Sequence, residues 1–480
     1  MIPIRLDDIA GITGGVVDGE GAVIVTGPAF VDSREVVAGG LFVAVPGEHV
    51  DGHDFAGAAV RAGAAAVLAS RSVGAPAVVV PDPVAALGLL AREVIGRLPG
   101  CQVTAITGSQ GKTGTKDLLA QVLARHGTTT ATSGNANNEI GVPLTGLRAT
   151  PDTRHLVVEM GARGVGHIAY LCSLVPPRIG CVLNVGVAHV GEFGSREAIA
   201  TAKSELVAAL PPDGVAVLNA DDPLVSAMAE RTQAAVLTFG RHPDADVRLT
   251  RLSIDDLGQP RFRLAYDRNT VDVALPLLGE HQAINAAAAA AAALASGMAL
   301  PAVGAALRAA DSLSHWRMER HVRGDGVVVV NDAYNANPDS MRAALTTLAT
   351  LGANRGARTI AVLGEMLELG DTADDEHAEI GRLVVRLGIT QLLAVGEQAR
   401  PLQVGASLEG AADGRCVLLP DVESSVRWLR SHLRPGDVVL VKASRAVGLE
   451  RVAAALLGDS GDTASGSTTQ ARNTGEDPTG

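Results

Sequence analysis

The stretch Thr107-Gly-Ser-Gln-Gly-Lys-Thr-Gly-Thr-Lys116 holds residue types that together can grip a polyphosphate. Gly108 and Gly111 allow backbone amides to close around phosphate oxygens, with Ser109, Gln110 and Gly114 in the same turn. Lys112 offers a compact charge for the β- and γ-phosphates, and the Thr113 hydroxyl is suited to Mg²⁺. The spacing is shorter than the common G-x-x-x-x-G-K-[ST], because Ile106 stands where the first glycine would be. The apolar run Val103-Thr-Ala-Ile-Thr107 precedes the loop, and helical sequence follows over residues 113–126. A glycine-rich turn between strand and helix points to nucleotide binding.

Of the 40 basic residues only four are lysines: Lys112, Lys116, Lys203 and Lys442. Lysine can become a neutral, reactive amine, whereas arginine stays charged. Lys203 lies in Ala202-Lys-Ser-Glu-Leu206 and reads either as a functional amine or as a helix-surface lysine pairing with Glu205 or a neighbouring acid. Lys442 ends the apolar run Val438-Val-Leu-Val-Lys442. No role for Lys116 follows from the sequence beyond support of the helix after the loop.

The elements that must position these groups are α/β. Residues 1–100 alternate short strands (Leu41-Phe-Val-Ala-Val45, Ala77-Val-Val-Val80) with Ala-rich helices, and Leu98-Pro-Gly100 ends the unit. Over 101–313, strands at 103–107, 156–159, 181–184 and 215–218 alternate with helices near 196–209 and 281–296, the pattern of a doubly wound parallel sheet. A Rossmann-like unit spans 314–458, with strands at 327–330, 359–363, 392–395 and 437–441. The polar tail 459–480 cannot bury a core and is expected to be disordered.

Composition narrows the function. Hydrophobic residues make up 47%, so the chain can fill several cores, while aromatics at 2% leave few platforms for stacking single-stranded nucleic acid. A net charge of −12 disfavours a general polyanion binder but permits one local phosphate site. Cys101, Cys172, Cys181 and Cys416 form no metal spacing and suit a reducing compartment. No basic-then-apolar leader opens the chain and no apolar run reaches membrane-span length; Ala286 to Ala293 reads as a tightly packed helix. The expectation is a cytoplasmic protein that binds neither nucleic acid nor membrane.

Further blocks occur in a fixed order: Asp32-Ser-Arg34, Asp51-Gly-His-Asp-Phe55, the phosphate loop, Gly134-Asn-Ala-Asn-Asn-Glu-Ile-Gly-Val-Pro-Leu-Thr145 and Glu159-Met-Gly-Ala162. Then come Asn184-Val-Gly-Val-Ala-His189, Phe193-Gly-Ser195, Ala202-Lys203, Gly279-Glu-His-Gln-Ala-Ile-Asn285, Asn331-Asp-Ala-Tyr-Asn-Ala-Asn-Pro-Asp-Ser340 and Leu363-Gly-Glu-Met366. Together, over residues 30–455, they resemble the Mur ligase family. The resemblance implies three domains: an N-terminal α/β substrate domain, a central phosphate-loop domain and a C-terminal Rossmann-like domain. It implies ATP-driven joining of a carboxylate to an amine through an acyl phosphate. The Asn331–Ser340 block is similar to the branch acting on a UDP-N-acetylmuramoyl-tripeptide and D-alanyl-D-alanine, most simply as a monomer. A sister ligase adding one amino acid typically carries Asp-Asn-Pro-Arg, which is absent here. A folylpolyglutamate-synthase-like ligase or a phosphate-loop switch would leave the flanking blocks unexplained.

By the same resemblance, Glu159 and His189 hold a second Mg²⁺ in a site for two ions, and Lys203 is carbamylated to become an anionic ligand. His281 and Asn285 lie at adenine, Arg317 on the γ-phosphate, Asp332 at the ribose and Tyr334 near the base. Ser33 and Arg34 contact the uridine diphosphate. Asn137, Asn138 and Thr145 line the peptide and phosphate side of the cleft. Lys442, Ser444 and Arg445 fall on the dipeptide side or in domain closure, with Ala443 where the family usually has glycine.

Overall fold

With aromatics scarce, the strands are built from Val, Leu, Ile and Ala, and strings such as Val327 to Val330 are almost wholly buried. A computed structural model describes residues 1–47, 50–186, 193, 195–411 and 414–458. His189 and the 459–480 tail lie outside the described residues.

The first 100 residues carry a five-stranded sheet in the order Val16–Asp18, Ala77–Val79, Ala66–Ala69, Leu41–Val43, Ala29–Phe30, parallel except at the first pair. A second, two-stranded sheet pairs Ile4–Arg5 with Ile24–Val25.

The central sheet has nine strands. Gln102–Thr107 lies between His155–Glu159 and Ile179–Val182, all parallel, so the phosphate loop leaves from an interior strand, third from the Thr129–Ala131 edge. Carboxyl ends of such strands are where open α/β sheets bind ligands. The expected parallel sheet needs one correction. Val247–Ile254, Pro260–Tyr266 and Asn269–Ala274 extend it as an antiparallel edge. Their alternating Arg/apolar pattern keeps one face wet, which a sheet covered on both faces would not allow.

The alanine run forms the helix His281–Ala295, with Ala286 through Ala293 fully buried. It shares a core with Leu118, Leu119, Val122 and Leu123 of the helix Lys112–Ala124. Methyl side chains let the two helix axes approach closely, which brings Asn285 against the phosphate loop. No helix among the described residues is long and apolar enough to cross a membrane.

The third sheet orders Glu319–Val322, Val328–Asn331, Val438–Lys442, Thr359–Leu363, Gln391–Val395 and Cys416–Leu419, parallel after its first strand. Its helix Pro338–Arg355 starts at Asn337, whose side chain accepts from Ser340 N while the Ser340 hydroxyl accepts from Asn337 N. Asp332, Tyr334 and Asn335 occupy the turn between that strand Val328–Asn331 and this helix, at the sheet's carboxyl edge.

Candidate active site

A cleft of about 940 Å³ runs between the central and C-terminal domains. Its lining includes Gly108 to Gly114, Asn137, Asn138, Glu159, Lys203, His281 and Asn285 from one side, and Arg317, Asp332, Tyr334 and Lys442 from the other. Most of the candidate residues therefore share one cavity, although they span more than 300 positions of sequence.

The helix Lys112–Ala124 begins at Gly111, in the left-handed region at φ 80°, with no side chain capping it. Several other helices begin instead at side-chain caps, among them Asp82, Ser195 and Asp421. A glycine cap leaves the first-turn amides facing the cleft, where a phosphate can meet them. Asn184 fixes the loop from below: its side chain accepts from Gln110 N at 3.0 Å and donates to Gln110 O at 3.2 Å, and its carbonyl accepts from Ser109 N. The Ser109 hydroxyl accepts from Gly186 N at 2.9 Å.

Gly111 also permits a close approach. A Cβ there would lie 2.6 Å from Asn285 Oδ1. Alanine in the left-handed region costs about 1–2 kcal/mol before that clash is relieved. Gly111→Ala should therefore weaken nucleotide binding at least about tenfold, measured by calorimetric titration with ADP. Unchanged affinity would contradict the loop's assigned role.

Lys112 Nζ donates to Gly108 O at 2.7 Å, curling the side chain over the loop. Burial lowers its pKa, opposed by Glu159 and reinforced by Arg317, which places all three groups in one electrostatic neighbourhood. Glu159 is 1% exposed at the end of its strand. One carboxylate oxygen accepts from the Thr113 hydroxyl at 2.9 Å and the other from Asn137 Nδ2 at 2.8 Å. Its backbone N–H donates to Thr132 Oγ1 at 3.0 Å.

Lys203 is 6% exposed on the helix Arg196–Ala208. Burial, and secondarily the charge of Lys112, bring its pKa down to about 7. No ion pair or hydrogen bond of its amine occurs among the described residues. The surface pairing with Glu205 is not found. The Glu205 carboxylate instead accepts from Gly166 N at 2.5 Å and Ala169 N at 3.0 Å, at the start of the helix His167–Leu174. An amine with a pKa near neutrality is nucleophilic enough to capture carbon dioxide.

The other half of the cleft carries Arg317 stacked over the Tyr334 ring, 4.2 Å from its centroid. Asp332 is shared. One oxygen accepts from Met318 N at 3.0 Å, and the other from Lys442 Nζ at 2.6 Å. Lys442 is 2% exposed and also donates to Asn335 O at 2.8 Å. Its place is thus beside Asp332 in the cleft. His281 opens its helix, and burial lowers its pKa, so it is neutral at physiological pH; Asp332 pulls the other way and Lys442 reinforces the shift.

Several candidates lie outside this lining. Ser33 and Arg34 belong to the first domain, where Asp32 holds the Arg34 guanidinium at 2.6 and 2.9 Å. Thr145 is buried and donates to Gly141 O within its own helix. Asn138 lines the cleft, yet its side-chain oxygen accepts from Gly141 N at 2.9 Å. Ser444 accepts from Leu367 N at 2.9 Å. Arg445 stacks over Trp316 at 4.1 Å and pairs with Glu450 at 2.6 Å. Asn184 and Asn335 fall inside the motif blocks without a role of their own in the sequence; their position just after apolar strands is the available signal.

Family models match most of the chain in three consecutive blocks: the Mur ligase family catalytic domain at residues 30–93, the Mur ligase middle domain at 106–293, and the Mur ligase glutamate ligase domain at 316–445. The chain belongs to the Mur ligase family. Among its relatives is the UDP-N-acetylmuramoyl-tripeptide–D-alanyl-D-alanine ligase of Mycobacterium tuberculosis, 48% identical over 96% of this chain and 98% of the relative. The Escherichia coli enzyme of the same name is 35% identical over 95% and 99%. Crystal structure I of MurF from Acinetobacter baumannii superposes with a TM-score of 0.85 at 31% identity, covering 95% of this chain and 99% of that one. MurF from Thermotoga maritima in complex with ADP gives 0.78 at 31% identity, covering 91% and 98%. The cleft of this Mur ligase thus sits in a fold that binds ADP in that relative.

Proposed function

We propose that this Mur ligase joins D-alanyl-D-alanine to UDP-N-acetylmuramoyl-tripeptide at the expense of ATP, giving the pentapeptide precursor of peptidoglycan, ADP and phosphate. The observation that carries the reading is the convergence of Lys112, Glu159 and Lys203 with Arg317 and Asp332 across one cleft. The reading assigns residues 1–100 to the UDP moiety through Ser33 and Arg34. It assigns 101–313 to ATP and the tripeptide carboxylate, and 314–458 to closure over the nucleotide. The enzyme works in the cytoplasm as a monomer.

A carboxylate oxygen of the tripeptide attacks the γ-phosphorus as the bond to ADP breaks. Negative charge spreads over the equatorial oxygens of the transferring group, so fixed cations are the main catalytic requirement. Lys112 and Arg317 meet that charge from opposite walls of the cleft. The dipeptide amine then adds to the acyl carbon, and the tetrahedral intermediate expels phosphate with the C–O electron pair.

The donor set suits Mg²⁺, which is commonly held by one or two carboxylates and substrate phosphates. Thr113 and Glu159 would hold one ion. Glu159, His189 and a carbamate on Lys203 would hold a second. The ions would neutralise phosphate charge during transfer. His281 and Asn285 face the adenine side, and Asp332 and Tyr334 the ribose and base. Asn137 orients Glu159, and Asn138 and Thr145 shape the loop beside it. Ser444 and Arg445 serve closure.

Hydroxylamine tests the sequence of steps. With ATP and the UDP-tripeptide but no dipeptide, it should intercept the acyl phosphate as a tripeptide hydroxamate with one phosphate released. Hydroxamate appearing without ATP, or never appearing, would sink the acyl-phosphate route.

A further inference from the structure

We infer that Lys116, Asp117 and Gln121, beyond the phosphate-binding turn, are positioning residues that set where Arg317 enters the cleft. The inference rests on the ligase reading and extends it to residues that touch no reacting atom.

The first turn of the helix Lys112–Ala124 carries Lys112 and Thr113. The following turns face the segment that leads into the C-terminal domain. Lys116 is 3% exposed, donates to Thr132 O at 2.9 Å and pairs with Asp117 at 2.5 Å. Thr132 in turn accepts from the backbone of Glu159 through its hydroxyl. The second Asp117 oxygen accepts from the Ser314 hydroxyl at 2.5 Å. Gln121 reads the backbone of Asp311 in both directions, donating to its carbonyl at 3.0 Å and accepting from its N–H at 2.8 Å. A continuous chain of bonds thus links the strand end bearing Glu159, the phosphate-loop helix and residues 311–314.

Arg317 follows three residues later, between two left-handed non-glycine residues, Trp316 at φ 58° and Met318 at φ 50°. Such conformations persist only where surrounding contacts enforce them. Asp332 holds Met318 N, and Tyr334 N donates to Trp316 O at 3.1 Å. The segment is therefore pinned to the C-terminal domain after Trp316 and to the central domain before it. Without the central anchor, Arg317 would keep its place beside Tyr334 but lose its register against Lys112. Lysine at 116 is explained on the same terms: its amine reaches a buried carbonyl and an adjacent carboxylate as a point charge, which a planar guanidinium would overfill.

The test uses the full-length enzyme with ATP, Mg²⁺, UDP-tripeptide and D-alanyl-D-alanine. Ser314→Ala/Gln121→Ala should lower kcat about tenfold, the scale of losing hydrogen bonds to a charged or buried partner, with KM for the UDP-tripeptide unchanged. Ser314→Thr should retain wild-type kcat. In an Arg317→Ala background the double substitution should have no further effect. Lys116→Met gives an independent arm with the same expected coupling. Wild-type kcat in the variants, or an equal loss with and without Arg317, would overturn the proposal; partial unfolding gives that second pattern. The wild-type control separates the two readings, because its requirement for both co-substrates tests the ligase and the coupling to Arg317 tests the positioning.

Discussion

Lys203→Arg should lower kcat by about a thousandfold, the upper range for removing one electrostatic contributor to a transition state. The wild-type amine is buried, and its pKa of about 7 leaves a large neutral fraction at physiological pH. Neutral amine can bond to carbon dioxide and release a proton, becoming an anionic oxygen donor. A guanidinium cannot, and it would remain a buried cation near Lys112. Lys203→Ala removes the ligand without adding that charge. Short carboxylates such as acetate should then partly restore turnover by supplying the missing anion, while leaving the wild type unaffected. Full activity in Lys203→Arg, or absence of rescue in Lys203→Ala, would refute the carbamate.

Lys112→Met should cost about a thousandfold or more in kcat/KM for ATP, by analogy with the loss of a charged clamp on a transferring phosphoryl group. Methionine keeps the unbranched apolar stem and its packing and lacks only the terminal amine, so the expected Tm is close to wild type. Lys112→Arg should recover little, because the planar fork cannot fit where a single ammonium curls back onto Gly108 O. A charge-preserving variant at wild-type rate would show that Lys112 needs only to be positive. Methionine at wild-type rate would remove it from phosphate transfer altogether.

Much of this site was legible before the fold. The phosphate loop is local: strand, glycine turn and helix all fall between Gln102 and Ala124, and their chemistry is set by backbone geometry. Glu159 was recoverable because it ends an apolar strand. The roles of Lys116, Asp117 and Ser314 were not recoverable, since they depend on a contact across almost two hundred residues. Lys442 illustrates the same limit. Its position after four apolar residues marked a strand end, but its bond to Asp332 follows from Val328–Asn331 and Val438–Lys442 being adjacent parallel strands. The antiparallel edge of the central sheet escaped for a different reason. Arg261-Phe-Arg-Leu-Ala-Tyr266 alternates with period two, but alternation marks a half-wet strand without saying which way it runs against its neighbours. Glu205 shows that proximity in sequence is a poor guide to pairing: two residues from Lys203 on one helix, it points to another helix entirely.

The most direct test supplies the enzyme with ATP, Mg²⁺, UDP-N-acetylmuramoyl-tripeptide and D-alanyl-D-alanine, and follows phosphate together with the mass of the nucleotide product. One phosphate should form per UDP-linked pentapeptide, with sustained turnover only when both co-substrates are present. Equal phosphate release without the dipeptide, or release with no pentapeptide formed, would contradict the proposed ligation.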